Sequence, residues 1–193
     1  FIDAGHSVKN ISKPGGTLEE IVSKLDNEDL SLYDYIFVIV TCTNRTVTNK
    51  FTNQENFFNL IPFNKETIIH RHKNILDNFF QQLNNYNKPI YLLGGLSVVP
   101  SALGYQNLKV ALPSILKFIL PKIAKDYEFF FHLGNNYPKN IDKDTINWMW
   151  QQNKIWEQIQ SSKYFREDGY HPNRYAHYKV FRYLIENVID NDK

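Results

Sequence analysis

Near its C-terminus the chain places an aspartate and a histidine three residues apart, Asp168 and His171, with Pro172 directly after them. A short turn with this spacing can bring a carboxylate and an imidazole side by side. The carboxylate can then fix the tautomer and orientation of the ring, and the ring can take a proton from a nucleophile. The spacing alone equally allows an Asp that only caps the next helix, with His171 on the surface.

The elements around this pair alternate between strand and helix, which predicts an α/β doubly wound parallel sheet in three layers. Polar residues that end parallel strands meet at one edge of such a sheet, so we expect Gly15, Asn44, Asp168 and His171 to share it. A loop is expected after Pro100. Strands are predicted at Tyr35–Val40, Ile90–Leu93 and Glu128–Leu133, and helices at Leu18–Leu25, Lys65–Tyr86, Pro113–Lys125, Asp144–Gln160 and Pro172–Ile189.

The run from Asp168 to Asn173, DGYHPN, resembles the last conserved block of the SGNH (GDSL-type) hydrolases, which reads D-x-x-H-P-N and enters a C-terminal helix. The resemblance implies a flavodoxin-like sheet and a Ser-His-Asp triad. In that triad His171 is the general base and Asp168 is its partner. No metal or cofactor is expected for this chemistry.

Two upstream segments are similar to the blocks that supply the oxyanion donors of this family. The run from Asn10 to Thr17, NISKPGGT, resembles its second block, and the resemblance implies that the Gly15 amide is one donor. The family places G-x-N-D after its third-block strand, and Asn44 matches the asparagine of that motif as a second donor. Cys42 and Arg45 stand where the motif has Gly and Asp.

Three alternatives remain open for the nucleophile. The chain opens Phe1-Ile2-Asp3-Ala4-Gly5, which resembles the residues that follow the family's G-D-S serine. In the first alternative, the serine and the first strand therefore precede Phe1. Gly5-His6-Ser7 could instead be a degenerate G-D-S, which would make Ser7 the nucleophile. In the third alternative the chain has no nucleophile and is a non-catalytic relative.

Composition limits the other classes of function. A chain of 193 residues suits a single domain over residues 1–193, and its formal net charge of +2 does not suggest a nucleic-acid partner. The single cysteine excludes an internal disulfide and a cysteine-based zinc site. His70 and His72 face different sides of a helix and predict no metal site. No apolar segment reaches the length of a membrane span.

Two functions therefore follow as expectations. The first is an SGNH-type serine hydrolase that acts on a small-molecule or carbohydrate ester, such as an O-acetyl group on a sugar. The second is a non-catalytic SGNH-like binding or structural module that kept the fold. The substitutions at Cys42 and Arg45 and the absence of an unambiguous G-D-S favour the second function.

Overall fold

Among the residues that the structure describes, three parallel strands form one sheet in this computed structural model. The strands lie in the order β1 (Ile36–Val40), β2 (Ile90–Gly94) and β3 (Leu108–Leu112), so β2 pairs with both of the others. Parallel neighbours need crossover connections. The helix Lys65–Asn84 lies in the connection from β1 to β2, whereas the connection from β2 to β3, residues 95–107, contains no helix. The structure describes residues 5–12, 16–43, 64–129, 141–166 and 172–191.

Five α-helices in the described ranges surround the sheet, and the side chain of the residue before each one accepts a hydrogen bond from its first turn. Such N-caps satisfy amide groups that have no partner inside the helix. A 3₁₀ turn spans Leu30–Leu32, and a π turn at Ile185–Ile189 continues the last helix. The helices are α1 (Leu18–Asp26), α2 (Lys65–Asn84), α3 (Ile115–Ile119), α4 (Lys143–Gln160) and α5 (Arg174–Leu184).

Helices cover both faces of the sheet because alternate side chains of each strand point in opposite directions. Ile90 and Leu92 of β2 belong to a buried cluster with apolar residues of α1 and α2. Tyr91 and Leu93 belong to a second cluster with residues of α3, α5 and the π turn. All five residues of β2 are buried, which is typical of a central strand in a parallel sheet.

The expected α/β class with a parallel sheet between helices is confirmed, together with strands β1 and β2 and helices α1, α2 and α4. The prediction of a loop after Pro100 is wrong at Leu108–Leu112, because these residues form the third strand and pair with β2. The strand predicted from Glu128 is not part of this sheet at Phe129, which forms an isolated antiparallel bridge with Ser97. Its remaining residues, 130–133, lie outside the described residues.

Two predicted helix boundaries also needed correction. The helix predicted from Pro113 is shorter, because Ser114 is its N-cap and the helical turns end at Ile119. In the last helix the N-cap is Asn173, so Pro172 precedes the helix and does not occupy its first turn. Among the described residues, no helix combines the length and the hydropathy that crossing a membrane would require.

Gly94 ends β2 where there is no room for a side chain. A methyl group there would overlap the carbonyl of Pro113 and would lie 2.9 Å from the carbonyl oxygen of Ser97. Because both obstacles are backbone atoms, Gly94→Ala should lower the free energy of unfolding by about 3 kcal/mol. Urea unfolding followed by circular dichroism measures this change.

Gly104 provides the matched control, since a methyl group at that position would meet no atom within 4 Å. Gly104→Ala should therefore change the free energy of unfolding by less than about 1 kcal/mol. Equal losses in the two variants would show that the close approach of Pro113 to Gly94 does not constrain the sheet.

Candidate functional site

The carboxyl ends of the three strands meet at one edge of the sheet, and side chains and amides connect them there. The Gly95 N–H donates to the Val40 carbonyl at 3.1 Å, and the Ser97 hydroxyl donates to the Thr41 carbonyl at 2.9 Å. The Val99 N–H donates to the Pro113 carbonyl at 2.9 Å. Ligands of open α/β sheets bind outside this edge, so it is the candidate site.

Helix α5 begins at the same edge. Ala176 near its start belongs to a buried cluster, and the partly buried Leu96 and Val98, which follow β2, pack against that cluster. At the other end, the Tyr35 hydroxyl donates to the Ile189 carbonyl at 3.3 Å, just before β1 begins. The helix therefore runs antiparallel to the strands, and the chain enters it from the carboxyl edge.

Asn173 holds the entrance to α5 in place with both ends of its side chain. Its Oδ1 accepts from the N–H groups of Tyr175 and Ala176 at 3.0 and 3.3 Å. Its Nδ2 donates to the Lys163 carbonyl at 2.6 Å, and its own N–H donates to the Tyr164 carbonyl at 2.8 Å. Asn173 thus caps the helix and ties it to the loop that follows α4.

The residues predicted to do chemistry are described only in part. Gly15, Asn44, Asp168 and His171 lie outside the described residues. Ser7 is described, and it is exposed.

Ser7 lies two residues before Lys9, whose ammonium pairs with Glu28 at 2.6 Å. Glu28 follows the C-terminal end of α1, on the side of the sheet where β1 begins. The described contacts therefore do not bring Ser7 to the carboxyl edge.

A buried histidine at this edge was not anticipated as part of the site. The His72 Nδ1 and the Thr43 hydroxyl lie 2.8 Å apart, and these residues are 8% and 1% exposed. The His72 ring stacks on Phe129, with centroids 4.0 Å apart and planes 14° apart. The one sequence signal was that His72 takes the place of an apolar residue between Ile68 and Leu76 on the buried side of α2.

Burial determines the protonation state of His72. Loss of solvent, together with the smaller effect of the positive charge of Lys73, lowers the pKa of His72 from 6.5 to about 4. The ring is therefore neutral near pH 7. Its contact with Thr43 holds the chain three residues beyond the end of β1, at the last described residue before position 44.

Tyr127 and Cys42 add two more buried polar groups to this part of the molecule. The Tyr127 hydroxyl donates to the Leu96 carbonyl at 2.8 Å. Burial raises the pKa of Tyr127, and the neighbouring Cys42 adds to the effect, so the hydroxyl keeps its proton as a donor. Both groups brace the chain that leaves β1 and β2.

Within the described ranges, no group of three or more His, Cys, Asp or Glu residues is placed to hold a metal ion. Comparisons with protein-family models, curated proteins and solved structures found no match to this chain. The case for a function therefore depends on the residues and on their geometry.

The depressed pKa of His72 predicts an acid-sensitive fold. The unfolded chain takes up a proton near pH 6.5, whereas the folded ring resists it down to about 4. The stabilisation is complete above pH 6.5 and is lost as the pH falls towards 4, by at most about 3 kcal/mol. Urea unfolding at a series of pH values measures the loss.

The comparison with His72→Leu isolates this contribution, because leucine does not titrate. The variant should lose less stability than the wild type between pH 6.5 and 4, while His177→Ala, which removes an exposed histidine, should follow the wild type. Asp29 and Asp142 also have lowered pKa values, from an ordinary value of 3.8, and their loss of stabilisation on protonation falls mainly below pH 4. Parallel curves for wild type and His72→Leu would contradict the assignment.

Proposed function

We propose that this protein is a serine hydrolase of the SGNH type that cleaves an ester, with the O-acetyl ester of a carbohydrate as the substrate class. One observation carries the proposal: the DGYHPN run is followed by a helix that begins at the carboxyl edge of a parallel sheet. This is the edge at which α/β folds bind ligands. The chemistry itself is inferred from the resemblance of the motif.

In this mechanism the serine hydroxyl attacks the acyl carbon, and His171 takes the hydroxyl proton as the new C–O bond forms. Asp168 orients the imidazole and stabilises its charged form. The Gly15 N–H and the Asn44 side chain donate to the oxyanion of the tetrahedral intermediate. His171 then returns the proton to the departing alcohol. In the second half, water attacks the acyl carbon while His171 takes a proton from it, and His171 gives that proton to the serine oxygen as the ester bond to serine breaks and the acid leaves.

The described residues next to the two proposed oxyanion donors are firmly held. Thr17 caps α1, since its hydroxyl accepts from the Glu20 N–H at 3.1 Å while the Glu20 carboxylate accepts from the Thr17 N–H at 2.9 Å. Thr43 is held by His72. Anchored neighbours support a role for Gly15 and Asn44, because an oxyanion hole works through donors that need no rearrangement.

The strand order is compatible with the flavodoxin-like part of the proposal. In the order 2-1-3-4-5 the last three strands are consecutive neighbours, as β1, β2 and β3 are here. In that assignment, a first strand that carries the serine would pair alongside β1. In the described residues β1 is the strand at this edge of the sheet, and its Ile39 is 56% exposed.

The position of Ser7 favours a second candidate, a non-catalytic SGNH-like binding or structural module. Ser7 is exposed, and its anchored neighbour Lys9 lies beyond the end of α1, away from the carboxyl edge. If Ser7 were the only serine available for the triad, the carboxyl edge of the sheet would have no nucleophile, and the protein could bind a ligand there without cleaving it.

His171→Ala tests the hydrolase proposal. In the full-length protein this change should lower kcat on p-nitrophenyl acetate by about a thousandfold or more, because loss of the base disables the triad as a unit. His177→Ala is the matched control, since His177 is exposed on the same helix and has no role in the mechanism. Circular dichroism should show both variants folded.

Labelling with a fluorophosphonate probe separates the two candidates. An active serine hydrolase should be labelled at a single serine, and peptide mapping by mass spectrometry then identifies the nucleophile. A folded full-length protein that cleaves neither acetyl nor butyryl esters and takes up no probe would replace the hydrolase proposal with the binding module.

A further inference from the structure

An exposed face of α5 combines tyrosines with basic side chains. Tyr175 and Tyr178 are 65% and 58% exposed, and residues three apart lie on the same side of a helix. Large side chains of this kind seldom remain so exposed without a function when they cluster. We call Arg174, Tyr175, Tyr178 and Lys179 of α5, together with Lys163 and Tyr164 of the loop before it, the α5 surface.

Cations lie over the rings of this region. The Lys163 and Lys179 ammonium groups lie 5.4 and 5.2 Å from the centroid of the Tyr164 ring. The Arg174 guanidinium lies 6.0 Å from the centroid of Tyr175. Among the residues that the structure describes, no carboxylate forms an ion pair with these three cations.

Positive charge is concentrated in this part of the chain. Residues 161–186 contain five Lys and Arg residues against three acidic ones, so they account for the entire formal net charge of +2. One of the acids, Glu186, is bound to Arg182 at 2.6 Å, and another, Asp168, is assigned to His171. An anion that approaches the α5 surface therefore meets cations without a competing carboxylate nearby in the described structure.

We propose that the α5 surface binds an acidic glycan, a chain of sugars that carry carboxylate groups. The C–H face of a pyranose ring packs on a tyrosine ring, and the tyrosine hydroxyl can exchange hydrogen bonds with sugar hydroxyls. The carboxylates of the glycan pair with Lys163, Lys179 and Arg174. The spacing of Tyr175 and Tyr178 along one helix face suits an extended polymer.

A single-stranded nucleic acid is the nearest competitor, because it too combines anionic groups with rings that pack on tyrosine. The formal net charge of only +2 favours it less, since proteins that bind single strands follow the phosphate backbone with a positively charged groove. A neutral glycan would use the tyrosines but would leave the three cations without a partner. An acidic glycan uses both kinds of side chain.

The location links this surface to the candidate site. Tyr175 is the second residue of α5, and the helix is entered from the carboxyl edge of the sheet. A glycan on the α5 surface can therefore extend to that edge, where an ester on the sugar would be cleaved. This link depends on the proposed function, but binding itself can be measured without any hydrolysis.

Binding of the full chain to immobilised alginate, a polyuronate, tests the proposal by biolayer interferometry. Dextran serves as the neutral glycan, poly(uridylic acid) as the nucleic acid and polyglutamate as the acidic polypeptide. Alginate should bind most tightly, and raising the salt from about 0.05 to about 0.2 M should weaken it. Tighter binding of any other polymer, or no binding of alginate, would overturn the proposal.

Variants assign the binding to these residues. Tyr175→Ala with Tyr178→Ala should raise the Kd for alginate by about tenfold or more, and the corresponding double change to phenylalanine should keep most of the affinity. Lys179→Gln should weaken binding, while Lys125→Gln, which removes an exposed lysine paired with Asp126, should not. If the two lysine variants lost equal affinity for alginate, the binding would depend only on the net charge of the protein, and the assigned site would be overturned.

Ester cleavage is measured separately on the same proteins. If alginate binds as expected but the wild type neither cleaves esters nor reacts with the fluorophosphonate, the glycan surface stands and the hydrolase proposal fails. If esters are cleaved but alginate does not bind, the hydrolase stands and the α5 surface is rejected.

Discussion

The burial of β2 on both faces is the constraint on which the rest of the structure depends. Its five residues are buried, so its backbone groups must find partners in β1 or β3 and its side chains must be covered by helices. This requirement places α1 and α2 on one face and α5 on the other. It also brings the ends of three strands together at one edge, where Gly94 and Gly95 let the chains approach closely.

The spacing of apolar residues along the sequence was enough to predict the helices and strands in which that spacing is regular. Helix α2 follows from the spacing of Ile68, Leu76, Phe79 and Leu83, and β1 follows from an apolar run of strand length. Strand β3 could not be predicted in this way, because the exposed Lys109 interrupts the apolar residues of LKVAL and its identity as a strand comes from pairing with β2. That pairing contains an irregularity between Leu92 and Leu93, which no local pattern signals.

The candidate site could be predicted only at the level of which edge it occupies. The motif around His171 indicated a helix entrance, and the structure places that entrance at the carboxyl edge, with Asn173 as the cap. The contact between Thr43 and His72 joins residues 29 positions apart across two elements, and it depends on how α2 packs beside the end of β1. Sequence spacing carries no information about such a contact, although an apolar pattern that contains a histidine marks where to look.

The π turn at Ile185–Ile189 has a consequence for how the length of this chain can vary. A π turn holds one residue more than an α-helical turn, so it is a natural position for a single-residue insertion or deletion. Loss of one residue there would restore α-helical geometry and leave Leu184 and everything before it in place. The same loss in the middle of α2 would rotate the following apolar residues by about 100° and expose Phe79 and Phe80. Relatives of this chain are therefore expected to differ in length at the end of the last helix before they differ within α2.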